Sequence, residues 1–339
     1  MPESLRAAVV GVGHLGRHHA RILASLEGVE LRAVVDPDEE RGRAVAERTG
    51  ARWVPHRDRL PEPVDLVVIA VPTARHRECA APFLRRGIAC LVEKPLAPDP
   101  AACEAILADA AAGGALLGVG HVERFNPAVR RALELGIAPR FIEAHRLAPY
   151  PFRSTDVGVV LDLMIHDLDL VRTWVGRPLQ SVDAVGGRVL SPSEDICSAR
   201  LRFEGGVVAN LTASRLSLKP MRRFRVFGPD CYVSIDSQDR YALLIRRGEG
   251  VGAPELEAAA RSEDPAGAFR RLLQVEELEL DEEEPLRAEL EAFVQAVRGE
   301  GPVPVPGEDG LANVELAFRV LEAAAASSWE GEALPPLRS

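Results

Sequence analysis

Eight consecutive residues narrow the possible folds of this 339-residue chain more than any other stretch. Val9-Val10-Gly11-Val12-Gly13-His14-Leu15-Gly16 ends an apolar, β-branched run, Leu5 to Val10. It opens a segment, His14 to Leu26, with Leu15, Ile22, Leu23 and Leu26 at helical spacings. The glycines at 11, 13 and 16 fit G-x-G-x-x-G. The first permits a tight turn, the second lets backbone approach a pyrophosphate, and the third lets the helix lie close to the strand. The helix N-terminus then presents N–H groups to an anion. A second strand follows at Val29 to Val35, then Asp36, 36 − 16 = 20 residues past the last glycine. That is the context a dinucleotide turn requires. A carboxylate there accepts hydrogen bonds from the adenosine ribose and repels a 2′-phosphate, so NAD is expected over NADP. Arg41 and Arg43 stand close enough to soften that preference. His14 and Leu15 join the glycines as cofactor-contact candidates. As acid–base groups His14 and His19 are not favoured; they read as packing or loop residues.

The alternation continues. Val64 to Val71 is a near-continuous apolar run, as a strand buried on both faces of a parallel sheet requires. Arg75 to Arg86 reads as a helix, Ile88 to Val92 as a strand, Pro100 to Ala112 as a helix and Ala115 to Val119 as a strand. The pattern implies an open, doubly wound α/β sheet, with ligands beyond the carboxyl ends of its strands. Val71, Pro72, Thr73 and His76 fall at such an end and are candidates to run beneath the dinucleotide. From about Phe125 the texture changes. A helix at Val159 to Val175 is followed by strand-like runs without long helices between them, starting at Val182, Cys197, Val207, Arg223, Cys231 and Ala242. Residues 1–122 therefore read as a Rossmann domain and 123–339 as an α+β domain with C-terminal helices able to pack back on the first. The acidic run Glu276 to Glu284 reads as an edge strand and the start of a helix.

Composition confines the function. Hydrophobic residues are 47% and charged residues 27% of the chain, an ordinary soluble balance. The length favours two domains over a single core. A net charge of −10 argues against nucleic acid or an anionic membrane as partner, and no run of about 18 apolar residues is present to span a bilayer. The first residues lack a signal-peptide layout, and five cysteines without C-x-x-C pairing read as reduced thiols. A cytoplasmic location and no metal centre are expected. Of 41 basic residues only Lys94 and Lys219 are lysine. A lysine kept against that bias is a candidate for chemistry Arg cannot perform, because a buried Lys can lose its proton. Glu93-Lys94-Pro95 places Lys94, with Glu93 beside it, at a strand's carboxyl end, where a dinucleotide lies. Lys219 reads as a loop charge.

The glycine turn, Asp36, Glu93-Lys94-Pro95 and the α+β half together resemble the glucose–fructose oxidoreductase / inositol dehydrogenase / rhizopine-catabolism (Gfo/Idh/MocA) family over nearly the whole chain. The resemblance implies a Rossmann domain, a C-terminal domain with a large open, mainly antiparallel sheet, and a nicotinamide cofactor. The implied substrate is a sugar, cyclitol or sugar nucleotide. It maps the family's EKP lysine onto Lys94, whose bond to Pro95 is often cis in relatives. Val160 to Asp169 looks like the family's D-x-x-x-H segment, with Asp162 and His166 at i and i+4 on one helix face and Asp169 beside them. Some relatives carry a tyrosine at this position; none of Tyr150, Tyr232 and Tyr241 falls here. Oxidising a secondary alcohol needs an acceptor for the hydroxyl proton, and a neutral imidazole, with a reference pKa of about 6.5, serves near pH 7. The resemblance thus gives His166 and Lys94 the proton handling, with the base role open between them, and Asp162 an orienting part.

Gly120 to Pro127, with Val159 to Asp167, looks most like the branch that oxidises UDP-N-acetylglucosamine at C3. Arg124 and Asn126 suit a domain junction. Arg146 and Arg153 are further phosphate candidates, since a guanidinium pairs well with phosphate. A free-sugar or cyclitol dehydrogenase and a non-catalytic NAD-binding regulator are the alternatives. A homodimer or homotetramer is expected.

Overall fold

A computed structural model describes residues 4–150 and 157–327. The chain divides into two compact units. The first holds residues 4–125, 157–165 and 283–319; the second holds 126–150, 166–282 and 320–327. The sequence boundary after Val122 moves to Phe125, because Val122–Phe125 form a 3-10 turn whose Arg124 bonds Asp309 within the first unit. Residues 283–319, in the stretch 123–339 whose C-terminal helices are expected to be able to pack back on the first domain, belong to the first unit.

The first unit is built on a six-stranded parallel sheet: β1 (Leu5–Val10), β2 (Val29–Val35), β3 (Arg52–Val54), β4 (Leu66–Ile69), β5 (Ala89–Glu93) and β6 (Leu117–Gly120), ordered β3-β2-β1-β4-β5-β6. The order reverses between β1 and β4, and such a reversal opens a crevice at the carboxyl edge. All four β4 residues are fully buried, which is why its sequence is apolar throughout instead of alternating. Helix limits follow local chemistry. Asp38 caps Glu39–Thr49 by accepting the Arg41 N–H, and Asp99 caps Pro100–Gly113 by accepting the Ala102 N–H. The helix Pro285–Arg298 puts Leu290, Phe293 and Val294 into the same core as Val9, Ile22, Val34 and Leu91.

The second unit holds an eight-stranded sheet: β7 (Phe141–Leu147), β8 (Leu179–Gly187), β9 (Ile196–Phe203), β10 (Val208–Ser214), β11 (Met221–Phe227), β12 (Cys231–Asp236), β13 (Tyr241–Arg247) and β14 (Leu273–Glu277). Their order is β14-β13-β12-β11-β7-β10-β9-β8, antiparallel except for β7 with β10. β9 alternates strictly, burying Cys197, Ala199, Leu201 and Phe203 while Ser198, Arg200 and Arg202 stay exposed, so one face is covered and the other open. On the covered face Trp174 stacks on Phe224 at 5.6 Å. The region from Gly248 to Glu284 forms two short helices, Ala253–Ala260 and Pro265–Arg271, and then β14. The edge strand therefore lies mostly ahead of the acidic run. Residues 278–282, all acidic or leucine, form no regular element. Among the described residues no helix is long and apolar enough to cross a membrane.

All five cysteines are free, with Cys79, Cys90, Cys103 and Cys197 buried and Cys231 partly exposed. Burial pushes the Cys103 and Cys197 thiols up to about 12 and raises Cys90 and Cys79 as well, leaving almost no thiolate at neutral pH. Titration of the native protein with a disulfide reagent is expected to show one accessible thiol, lost in Cys231→Ser, and the other four only after unfolding.

Candidate active site

The turn after β1 has three glycines in three different situations. Gly11 sits at φ +85°, and a Cβ there would lie 2.5 Å from the Ala70 carbonyl oxygen, so both conformation and space demand glycine. At Gly16 a Cβ would come 1.8 Å from the Gly11 oxygen, so the helix Gly16–Leu23 can start this close only without a side chain. At Gly13 a Cβ would meet nothing within 4 Å. The open space therefore lies beside the helix N-terminus, which has no side-chain cap and no acidic residue in its first turn. That is a cradle fitted to a pyrophosphate.

Asp36 follows β2 and is 2% exposed. Its Oδ2 accepts the Val12 N–H at 2.9 Å, inside the glycine turn, and its Oδ1 accepts the Asp38 N–H at 3.0 Å. The Arg41 fork adds Nη2 to Oδ1 at 2.6 Å and Nε to Oδ2 at 3.1 Å. Burial raises the Asp36 pKa, but these bonds outweigh it and hold the carboxyl below the ordinary range.

β5 ends in Glu93, and the next peptide, Lys94–Pro95, is cis. Glu93 Oε1 lies 2.6 Å from His19 Nε2, both side chains nearly or fully buried, while Oε2 accepts the Lys94 N–H at 3.2 Å. Burial drives the Glu93 carboxyl up, and the His19 bond with the charges of His19 and Lys94 reverses this, leaving it below the usual value. On the other side of the turn His76, 1% exposed, faces carbonyls with both nitrogens. Nε2 is 2.9 Å from Val71 O, and Nδ1 is 3.1 and 3.2 Å from the oxygens of Pro95 and Leu96. The Lys94 ammonium donates to Asp162 twice, to its backbone oxygen at 2.8 Å and to Oδ1 at 3.1 Å. Two of its three N–H groups are thereby fixed, and the third can serve an oxygen brought to the site.

Asp162 lies in a wide π turn, Val160–Met164, that leads into the α-helix Ile165–Val175. Sequence spacing implies one continuous α-helix; the extra residue in this turn is a local widening of a kind frequent at functional sites. His166, half-buried, follows four residues after Asp162 and begins the second unit.

The first unit thus brings together Gly11, Gly13, His14, Leu15, Gly16, Asp36, Val71, Pro72, Thr73, His76, Glu93, Lys94 and Asp162. His14 and Leu15 are exposed and Thr73 is buried. Other candidates are engaged elsewhere. Arg124 donates to Asp309 at 2.9 Å. Asn126 is buried and caps the helix Pro127–Glu134 through the Ala128 N–H. Arg146, 5% exposed, is forked onto Asp167 at 2.8 to 3.2 Å, which fixes the residue beside His166 and removes Arg146 as a surface phosphate ligand. Arg153 lies outside the described residues. Lys219 is exposed in a loop. Sequence reading passed over the service of His19 to Glu93. Its only signal was position, three residues beyond Gly16 on the buried side of the first helix.

Residues 5–121 match the family described as "Oxidoreductase family, NAD-binding Rossmann fold", and residues 150–331 match "Oxidoreductase family, C-terminal alpha/beta domain". The chain is 35% identical over 319 residues to UDP-N-acetylglucosamine 3-dehydrogenase of Acidithiobacillus ferrooxidans, covering 93% of this chain and 96% of that one. A solved structure of that enzyme superposes with TM-score 0.83 at 34% identity, over 95% of this chain and 98% of the other. Similarity to scyllo-inositol 2-dehydrogenase (NAD(+)) of Bacillus subtilis is 29% over 237 residues, 64% of this chain and 69% of that one. GenD2 from gentamicin A biosynthesis, solved in complex with NAD, gives a TM-score of 0.78 at 26% identity, over 96% of this chain and 95% of the other.

Two outcomes follow from the geometry. Gly13→Ala should leave thermal unfolding within about 2 °C of wild type while weakening NADH binding by about tenfold or more, whereas Gly16→Ala should unfold at clearly lower temperature. His19→Phe strands the Glu93 carboxylate and is expected to lower the unfolding free energy in urea by about 3 kcal/mol, with part recovered when Glu93→Met is added.

Proposed function

Since the chain belongs to the Gfo/Idh/MocA oxidoreductase family and is an NAD-dependent dehydrogenase acting on CH–OH groups, we propose that its substrate is a sugar nucleotide, UDP-N-acetylglucosamine, oxidised at C3. One observation carries the choice. Likeness to the UDP-N-acetylglucosamine 3-dehydrogenase runs through 93% of this chain, whereas the inositol 2-dehydrogenases align over 53 to 64% of it at 29 to 35% identity. Those partial matches support the second reading, a free cyclitol or sugar.

In this reading Gly11, Gly13, His14, Leu15 and Gly16 surround the pyrophosphate, and Asp36 holds the adenosine ribose. Val71, Pro72, Thr73, Glu93 and Lys94 border the nicotinamide half, while His76 acts from behind by fixing backbone. The oxidised nicotinamide supplies a two-electron acceptor for the carbinol carbon. Lys94 turns its third N–H to the reacting oxygen and stabilises the negative charge that develops there. His166 takes the hydroxyl proton, and Asp162 holds the ammonium at one orientation so that it neither drifts into solvent nor loses its hydrogen-bond geometry. Arg124, Asn126 and Arg153 are assigned to the substrate. The two whose structure is described already have partners, so any contact they make with it is a shared one. The reading includes a homodimer or homotetramer, supported by the open face of the eight-stranded sheet, and a cytoplasmic location, supported by the five free thiols.

A panel of UDP-hexoses and free polyols, read by NADH absorbance, tests the substrate. Turnover of UDP-N-acetylglucosamine but not of inositols is expected, and no NADH from any UDP-hexose would refute the proposal. Lys94→Met is expected to lower kcat by about 10²- to 10³-fold and His166→Ala by about 10²- to 10⁴-fold, with NADH affinity changed far less.

A further inference from the structure

The carboxylate that should discriminate between the two nicotinamide dinucleotides is already saturated. A carboxylate offers about four acceptor positions, and Asp36 has four N–H groups on it. They come from Val12 and Asp38 in the backbone and from the two arms of the Arg41 fork. The first two are set by the fold, one by the glycine turn and one by the cap of the helix Glu39–Thr49. A ribose hydroxyl can therefore reach Asp36 only by displacing Arg41. The Arg41 side chain is 46% exposed against 3% for Asp36, so this exchange moves a solvated group and leaves the buried one in place.

We propose that Arg41 is a specificity-determining residue of the cofactor site. It exchanges its place on Asp36 for the adenosine ribose and then pairs with a 2′-phosphate when one is present, so that the chain binds NADP(H) as well as NAD(H). Three features support this. Asp36 and Arg41 together carry no net charge, so a guanidinium that leaves the carboxylate but stays beside it still offsets part of the repulsion a 2′-phosphate would meet. Arg41 lies in the first turn of the helix Glu39–Thr49, whose dipole offsets part of the negative charge that Glu39 and Glu40 place there. The competing partner for a released guanidinium is the half-exposed Asp38 carboxylate, 3.5 Å from Nη1. A phosphate dianion, which can take both arms of the fork, is the stronger acceptor. Arg43 points elsewhere, bonded to Glu39 and lying 4.7 Å over the Trp53 ring.

The inference rests on Asp36 receiving the ribose, and fluorescence titration with NADH and NADPH in the absence of any sugar separates it from the choice of substrate. In wild type the NADPH dissociation constant should lie within about 30-fold of that for NADH. Arg41→Ala should raise the ratio of the two constants by about tenfold or more, and Arg43→Ala should leave it unchanged. An unchanged ratio in Arg41→Ala, or an equal rise in both variants, would overturn the proposal, as would wild type binding NADH but not NADPH at millimolar concentration. Failure to bind NADH at all would instead remove the cofactor assignment beneath it.

Discussion

A buried carboxylate organises the site of the first unit. Glu93 ends β5 in a place where an unpaired charge would cost several kcal/mol, and it is tolerated because His19 and the Lys94 N–H take its two oxygens. The consequence is geometric. His19 belongs to the helix that starts at the glycine turn, so the phosphate cradle and the lysine turn are two ends of one hydrogen-bonded unit. His76 sets its two ring nitrogens against the carbonyls of Val71, Pro95 and Leu96, donating from one of them as a neutral imidazole, and the Asp162 side chain accepts from the ammonium. Lys94 is thus located by groups reaching it from three separate elements. A long, flexible side chain becomes a reagent only when its position is fixed in this way.

Much of this could be read in the amino acids. The glycine turn, Asp36 and the strand-end lysine are local patterns, and each requires a specific residue type for a reason that does not depend on distant neighbours. The fully buried β4 is legible for the same reason, its run of apolar residues. What could not be read is what depends on distant partners or on small backbone differences. β3 is three residues, Arg52–Val54, with no periodicity to detect. The parallel pairing of β7 with β10 joins strands with two others between them in sequence. Nothing in Val160–Met164 marks a π turn as against an α turn. The arginines show the difficulty most plainly. Arg41, Arg124 and Arg146 look alike in sequence, yet one holds the buried Asp36 after β2, one an aspartate far along the chain, and one a buried aspartate beside His166.

Asp36 and Glu93 also show how one fold uses two acidic residues differently. Both are buried and both are held in the charged form by hydrogen bonds that outweigh desolvation. The partners of Glu93 are themselves buried or backbone, which makes it part of the framework. Asp36 has one partner that water can reach, the Arg41 guanidinium. Burial of the partner, more than burial of the acid, is what sets these two carboxylates apart.

The first unit gathers three separated lengths of chain, and that bears on how the protein is made. A ribosome releases the glycine turn, Asp36 and Lys94 first, yet the aspartate that restrains Lys94 emerges only after a further stretch, and Leu290, Phe293 and Val294 follow only after the whole sheet of the second unit. Until then the core around Val9, Ile22 and Leu91 lacks the part of its packing that Leu290, Phe293 and Val294 supply. The nascent chain therefore carries an unfinished nucleotide half while the second unit's sheet is being made, open to premature association. The antiparallel sheet of the second unit, by contrast, is complete in sequence before the first unit can close.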